Sequence, residues 1–351
     1  MRIGVLAHLH HPIGQPYLGG LEAHTAQTCE ALARRGHQVS LYAKQGSRLA
    51  EPSVRVVAML EEGFTWRPGN QDDEIIVDEA TRRACAAASA QNDVVLNNCL
   101  NPVPYVEMAE TAMLTVLHTP ATLERVNALV ERPGWAPGPR HAWVSVSQSN
   151  AVGWREVLPE VTVGVVPNGI DLDQWPSVLD VDADAPLAWS ARITPEKGLH
   201  VAIDAAMAAG MRLEVAGPIS NQGYFEEQIQ PRISVSEGRV RHLGHLPHDQ
   251  LAALLGRSSA FCCTPLWEEP FGLAPLEAMA CGTPVAALAR GAVPELVGPD
   301  GGAMADGAEG LPEAIRRAVG MDRAAVRRRA EHFSQTAMVD DYLRILDGLR
   351  A

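Results

Sequence analysis

A chain of 351 residues, 46% of them hydrophobic and 20% charged, has the profile of an ordinary globular protein with length for about two domains. Its formal net charge of −13 excludes a broadly basic surface, so no nucleic-acid partner is expected, while one local cationic pocket stays possible. Six cysteines without a C-x-x-C pair read as buried free thiols of a reducing compartment, and the N-terminal apolar run, residues 3–7, is too short for a signal peptide or membrane span. A cytoplasmic chain without a transmembrane segment is the expectation.

In chain order, short apolar runs at 3–7, 39–42, 54–58, 94–96 and 114–117 read as buried strands, with a helix over 21–35 closed by Gly36. Alternation of this kind predicts parallel sheet covered by helices. After a seam, 163–166 reads as a strand followed by the turn-forming Pro167-Asn168-Gly169-Ile170-Asp171. An acidic linker or loop covers 180–186. Further strands are predicted at 187–190, 213–216, 240–243, 260–264 and 284–287, and helices at 199–208, 248–256 and 273–280. The arginine-rich stretch 316–329 reads as a solvated helix. There is no internal repeat and no low-complexity tract.

The strongest chemical signal runs from Glu269-Pro270-Phe271-Gly272-Leu273 to Glu277 and on to Gly282-Thr283-Pro284-Val285. Strand, Pro/Gly loop and helix in succession aim backbone N–H groups at an anion, and ligands of such sheets bind at the carboxyl ends of strands. Glu269 would precede the helix and Glu277 would sit two turns inside it, both suited to accept hydroxyls of a ribose and a sugar. The alternative, that both complement the helix dipole, covers Glu269 but not Glu277.

This segment resembles the E-x7-E signature of the retaining glycosyltransferases of the GT-B fold, in particular glycosyltransferase family four. Pro294-Glu295-Leu296 is in the same style, and the likeness extends over nearly the whole chain. It implies an α/β fold of two Rossmann-like domains facing each other across a donor/acceptor cleft. The domains would be 1–165, rejoined by a C-terminal helix at 336–351, and 166–335, which would bind the nucleotide-sugar.

Ser190-Ala191-Arg192-Ile193-Thr194-Pro195-Glu196-Lys197-Gly198 leaves a strand and enters a helix, placing two cations where a diphosphate would sit. It resembles the family's G-R-x-x-x-x-K-G segment, with Ser190-Ala191 before the arginine; by that resemblance Arg192 and Lys197 neutralise the donor diphosphate. A solvated loop with Glu196 pairing Lys197 is the alternative. Gly19-Gly20 opens the first helix, and the resemblance makes Gly20 part of a loop that closes on the donor phosphate. His118, at the end of the strand 114–117, matches a family histidine that contacts donor sugar or acceptor. His8, His10 and His11 read equally as an acceptor-pocket wall or a surface loop. Gly217 matches the family's A-G-x-G loop without its second glycine, and backbone near Leu246 is implied at the nucleobase. Phe271, Gly272, Leu273 and Glu277 complete the implied nucleotide-sugar site, with Arg192, Lys197, Glu269 and His118 in catalytic roles.

No metal and no cofactor are expected. Asp171-Leu172-Asp173, Asp180-Val181-Asp182 and Asp182-Ala183-Asp184 fit an Asp-x-Asp pattern but lie at the seam or in the acidic stretch, and fixed cations with backbone dipoles can replace a metal's charge. The implied reaction is hexosyl transfer from a nucleotide-sugar, UDP-glucose favoured, to the hydroxyl of a small soluble acceptor, with retention. Alternatives are a sugar-nucleotide epimerase or a non-catalytic nucleotide-sugar-binding protein on the same fold.

Overall fold

Each apolar run read above as a strand forms one in the computed structural model, which describes residues 1–67 and 69–350, and two further strands join them. By contact, Met1–Tyr17, Leu21–Asn168 and Gln335–Ala351 form one unit, and Leu18–Gly20 with Gly169–Ser334 the other.

The first unit carries β1 (Arg2–Leu6), β2 (Gln38–Lys44), β3 (Arg55–Leu60), β4 (Val94–Asn97), β5 (Met113–Leu117), β6 (His141–Ser145) and β7 (Val163–Val165). They make a parallel sheet in the order β3-β2-β1-β4-β5-β6-β7. Central strands β4 and β5 are buried at every position, as expected of strands covered on both faces. Around them lie α1 (Gly20–Arg34), α2 (Gln71–Gln91), α3 (Val103–Glu107), α4 (Glu124–Val130) and α5 (Gln148–Val157). No periodic apolar stripe announces α2. Its start is set instead by Asn70, whose side chain accepts from the Asp73 amide at 3.0 Å, and by the acidic first turn Asp72-Asp73-Glu74. The core gathers Trp143, Trp154 and Tyr105, with Tyr105 stacked on Trp143 at 4.8 Å.

In the second unit β8 (Leu187–Ser190), β9 (Leu213–Ala216), β10 (Val240–His242), β11 (Ala260–Cys263), β12 (Val285–Leu288) and β13 (Gly302–Ala305) form a parallel sheet ordered β10-β9-β8-β11-β12-β13. Its helices are α6 (Leu199–Ala208), α7 (Gln222–Tyr224), α8 (Gln230–Val235), α9 (His248–Arg257), α10 (Leu273–Ala280), α11 (Val293–Gly301), α12 (Leu311–Val319) and α13 (Arg323–Glu331). The last helix, α14 (Gln335–Arg350), belongs to the first unit.

Two sequence expectations are corrected here. The stretch 316–329 is not one solvated helix: α12 ends at Val319 and α13 begins at Arg323. Arg323 is only 7% exposed. Its guanidinium donates to the carbonyls of Val178 (2.6 Å), Ser258 (2.8 Å) and Gly256 (2.8 Å) and to Thr283 Oγ1 (2.9 Å). Gly256 and Ser258 lie at the C-terminal end of α9, where helix carbonyls lack intrahelical partners, so the charge is spent on backbone that periodicity does not reveal. Glu277, placed two turns inside its helix, sits one turn in: α10 starts at Leu273 as predicted, and the four residues to Glu277 span about one turn. All six cysteines are free and buried. Among the described residues no helix is long and apolar enough to cross a membrane.

Candidate functional site

Both sheets reverse strand order once, between β1 and β4 and between β8 and β11. At such a switch point the loops leaving the carboxyl ends of adjacent strands diverge and open a crevice.

In the second unit those loops are 191–198, after β8, and 264–272, after β11. They are tied together. Thr264 Oγ1 lies 3.1 Å from the Lys197 carbonyl and 3.0 Å from that of Gly198, while Trp189 Nε1 donates to Thr264 Oγ1 at 3.1 Å. The Leu266 amide donates to the Glu196 carbonyl at 2.8 Å. Gly198 has φ +66°, and a Cβ there would lie 2.1 Å from the Thr264 carbonyl oxygen, so only glycine admits this approach. The 3-10 turn Pro195–Lys197 thereby presents Lys197 to the β11 loop.

Lys197 Nζ meets Glu269 Oε2 at 2.7 Å, with both side chains largely buried, and Trp267 Nε1 donates to the same oxygen at 2.9 Å. The ammonium also stands 4.8 Å from the Trp267 ring centroid. Glu196, the alternative partner for Lys197, accepts from Thr194 Oγ1 at 2.7 Å instead. The Glu269 backbone is fixed by the Ala292 amide, which donates to its carbonyl at 2.8 Å. Gly291 has φ +57°, and a Cβ on it would fall 2.3 Å from that carbonyl oxygen. Arg192, on the same loop as Lys197, is exposed.

Past the loop, Gly272 (φ +97°) precedes α10 and no side chain caps the helix, so its first-turn amides are left for another acceptor. The Phe271 side chain is buried, edge-on to Phe333 at 5.8 Å, which leaves its backbone as the part that can meet a ligand. Leu273 opens the helix half-buried. Glu277 is half-buried too, and burial pushes its carboxyl from near 4.5 up to about 7. A carboxylate in that condition gains from any hydroxyl donor that reaches it. On the far side of β8, the Gly217 amide donates to the Gly244 carbonyl at 2.8 Å and the Gly217 carbonyl accepts from His242 Nε2 at 2.9 Å. This joins the Gly217 loop to the segment carrying the half-buried Leu246.

The switch point of the first unit is built differently. Asn98 follows β4 and His118 follows β5. His118 Nε2 donates to Asn98 Oδ1 at 3.0 Å, and Asn98 Nδ2 donates to Thr25 Oγ1 at 3.1 Å. The His118 segment is held by Asn150 Nδ2 on the Leu117 carbonyl (3.0 Å) and Trp154 Nε1 on the Thr119 carbonyl (2.7 Å), both from α5. The His24 ring stands edge-on to His118 at 4.6 Å. Burial holds His118 well below the usual imidazole range and lowers His24 to about 3. His8 is buried, its Nε2 3.3 Å from Glu22 Oε1. His10 stacks on Trp66 at 4.0 Å and is lowered by burial to about 4, so of the three loop histidines His11 is the exposed one. Gly20 is exposed at the first position of α1, and its φ is not positive. Sequence reasoning passed over Asn98, His24 and Trp267. Asn98 directly follows a central strand, as His118 does. His24 and Thr28 share one face of α1. Trp267 and Glu269 stand only two apart in the loop after β11, but no sequence pattern announces that their side chains meet.

Among the described residues no group of three or more His, Cys, Asp or Glu side chains is arranged to hold a metal ion. Asp171 instead caps a short 3-10 turn through the Asp173 amide, at 3.3 Å.

Comparison with known proteins follows the same division into units. The family profile "Glycosyltransferase Family 4" matches residues 18–174 and "Glycosyl transferases group 1" matches 180–334. A glycogen synthase of Mycobacterium tuberculosis is 35% identical over 193 residues, spanning 52% of this chain but only 45% of the synthase. A D-inositol 3-phosphate glycosyltransferase of Mycolicibacterium smegmatis is 25% identical over 416 residues, spanning all of this chain and 92% of its own length. Among solved structures, sucrose-phosphate synthase of Thermosynechococcus elongatus superposes with TM-score 0.77 at 20% identity, covering 99% of this chain and 98% of the other. The Anabaena protein HepE in complex with UDP-glucose gives 0.73 at 19% identity, covering 99% and 100%. With one profile on each half of the sequence and two parallel sheets in the GT-B pattern, the chain belongs to the group 1 and family four glycosyltransferases.

Proposed function

We propose that this chain is a retaining hexosyltransferase that takes its sugar from a nucleotide-sugar, UDP-glucose in first place, and needs no metal. The observation that carries the reading is the Lys197–Glu269 pair at the β8/β11 switch point, with Arg192 exposed on the lysine's own loop. Charge builds on the diphosphate as the bond to the anomeric carbon breaks, and fixed cations with the open amides of α10 lower that barrier. Glu277, one turn into the helix, accepts the ribose hydroxyls, and Glu269 a hydroxyl of the transferred sugar. No carboxylate is read as a covalent nucleophile. The acceptor oxygen therefore bonds to the anomeric carbon on the face the diphosphate leaves, and the departing phosphate oxygen takes its proton. UDP is favoured because HepE was solved with UDP-glucose. A small soluble acceptor is favoured because the likeness to an inositol phosphate glycosyltransferase runs the length of the chain. The reading also includes a cytoplasmic location.

A thermal-shift series with UDP, GDP and ADP tests the donor first, since ligand binding raises apparent stability by mass action. Stabilisation by UDP above the others is the expected outcome; stabilisation by none of them would sink the reading. Transfer from the matching sugar nucleotide, with the anomeric configuration of the product read by NMR, tests retention.

A further inference from the structure

We propose that Trp267 is a positioning residue that sets Glu269 and Lys197 for the reaction, an inference that rests on the donor-side reading just given. Three contacts close a triangle. The Trp267 indole N–H donates to Glu269 Oε2 at 2.9 Å, Lys197 Nζ donates to that same oxygen at 2.7 Å, and the ammonium stands 4.8 Å from the indole ring centroid. An indole N–H can only donate and a carboxylate can only accept, so the bond has one sense. The consequence is a division of labour within one carboxylate. Oε2 is committed to the protein by two donors, which fixes the plane of the group and leaves Oε1 to accept a hydroxyl from the transferred sugar. Lys197 spends one of its three N–H bonds on Glu269 and keeps two for the leaving diphosphate. The ring face of Trp267 attracts the ammonium and restricts where its long stem can place it. Charge pair and indole thus form one pre-set unit rather than two independent ligands.

The test is a double-mutant cycle of Trp267→Phe with Glu269→Ala, which leaves the indole no acceptor at this position, read as kcat, KM for the donor, and affinity for the free nucleoside diphosphate. Phenylalanine keeps a ring face beside Lys197 and deletes only the N–H. Trp267→Phe should lower kcat about tenfold, the scale of one hydrogen bond to a charged group, while free-nucleotide affinity stays within about twofold, which shows that the site is still folded. In the Glu269→Ala background the same change should alter kcat by less than about twofold, because the acceptor it acts through is already gone. Parental kcat in Trp267→Phe, or an equal tenfold loss in both backgrounds, overturns the positioning role. Loss of nucleotide affinity along with kcat also overturns it and makes Trp267 a packing residue. Full activity of Glu269→Ala alone would instead remove the donor-side reading on which the proposal stands.

Discussion

The two switch points meet the same problem, polar groups gathered under the mouth of a sheet, with opposite chemistry. In the second unit the groups are charged and paired: Lys197, Glu269 and the indole that joins them. At the first, His118 and His24 are driven below the usual imidazole range by burial and stand edge-on to each other, and His118 is hydrogen-bonded to neutral Asn98, which donates to Thr25. A buried charge is tolerated where a partner lies within hydrogen-bond reach, and a group without one sheds its charge. Fixed charge therefore stands where the proposed reaction develops charge, and His118 with Asn98 and Thr25 offers neutral hydrogen bonding.

Breaking the charged side should cost most. Lys197→Ala and Arg192→Ala should each lower kcat by about 10²–10³, the scale of one transition-state charge donor. Stability should separate them, because Arg192 is exposed whereas Lys197 neutralises a largely buried Glu269. Kinetics beside thermal melts check this, and near-parental kcat in either variant contradicts the diphosphate role.

Glu277→Gln should weaken free-nucleotide binding about tenfold or more and spare kcat, since a ribose contact serves ground and transition states alike. Its pH behaviour has a definite sign. Folding raises this carboxyl from near 4.5 to about 7, so folding favours the protonated form. Stability linked to this group is full below about 4.5 and is lost as pH rises through about 7. The variant should therefore melt a few degrees higher than the parent at pH 8 and level with it at pH 4, as read by calorimetric scans. Equal melting offsets at both pH values would contradict the burial argument.

On the neutral side a smaller effect is expected. Asn98→Asp would set a carboxylate 3.0 Å from His118 Nε2 and raise the imidazole into the physiological range. NMR should then show His118 titrating between about pH 5 and 8, with activity changing severalfold across that span. A His118 that already titrates near neutrality in the parent would erase the contrast between the units. The smallest expected effect is none at all. Turnover should persist after exhaustive chelation, and activity lost in EDTA and restored by Mg²⁺ or Mn²⁺ would contradict a metal-free diphosphate site.

The sheets were legible because parallel strands buried on both faces write themselves as short apolar runs. β6 and β13 were missed because His141 and Ala142 at one and Gly302 and Ala303 at the other break that run. Arg192, Lys197, Glu269 and Glu277 were legible as residue types at loop and helix boundaries. Their partnerships were not. Adjacency made Glu196 the candidate partner for Lys197, whereas Glu269 holds it from 72 positions away. Arg323 was misread for a related reason: its acceptors are main-chain carbonyls, which carry no sequence signature.

The return of α14 to the first unit bears on the order in which the protein can be made. Its Met338, Val339, Tyr342 and Leu346 are buried, and Gln335 Nε2 donates to the Gln27 carbonyl in α1 at 3.2 Å. A nascent chain on the ribosome therefore carries an incomplete first unit throughout the synthesis of residues 169–334, which form a nearly contiguous unit of their own. The unit begun first is thus completed only after the second has been synthesised.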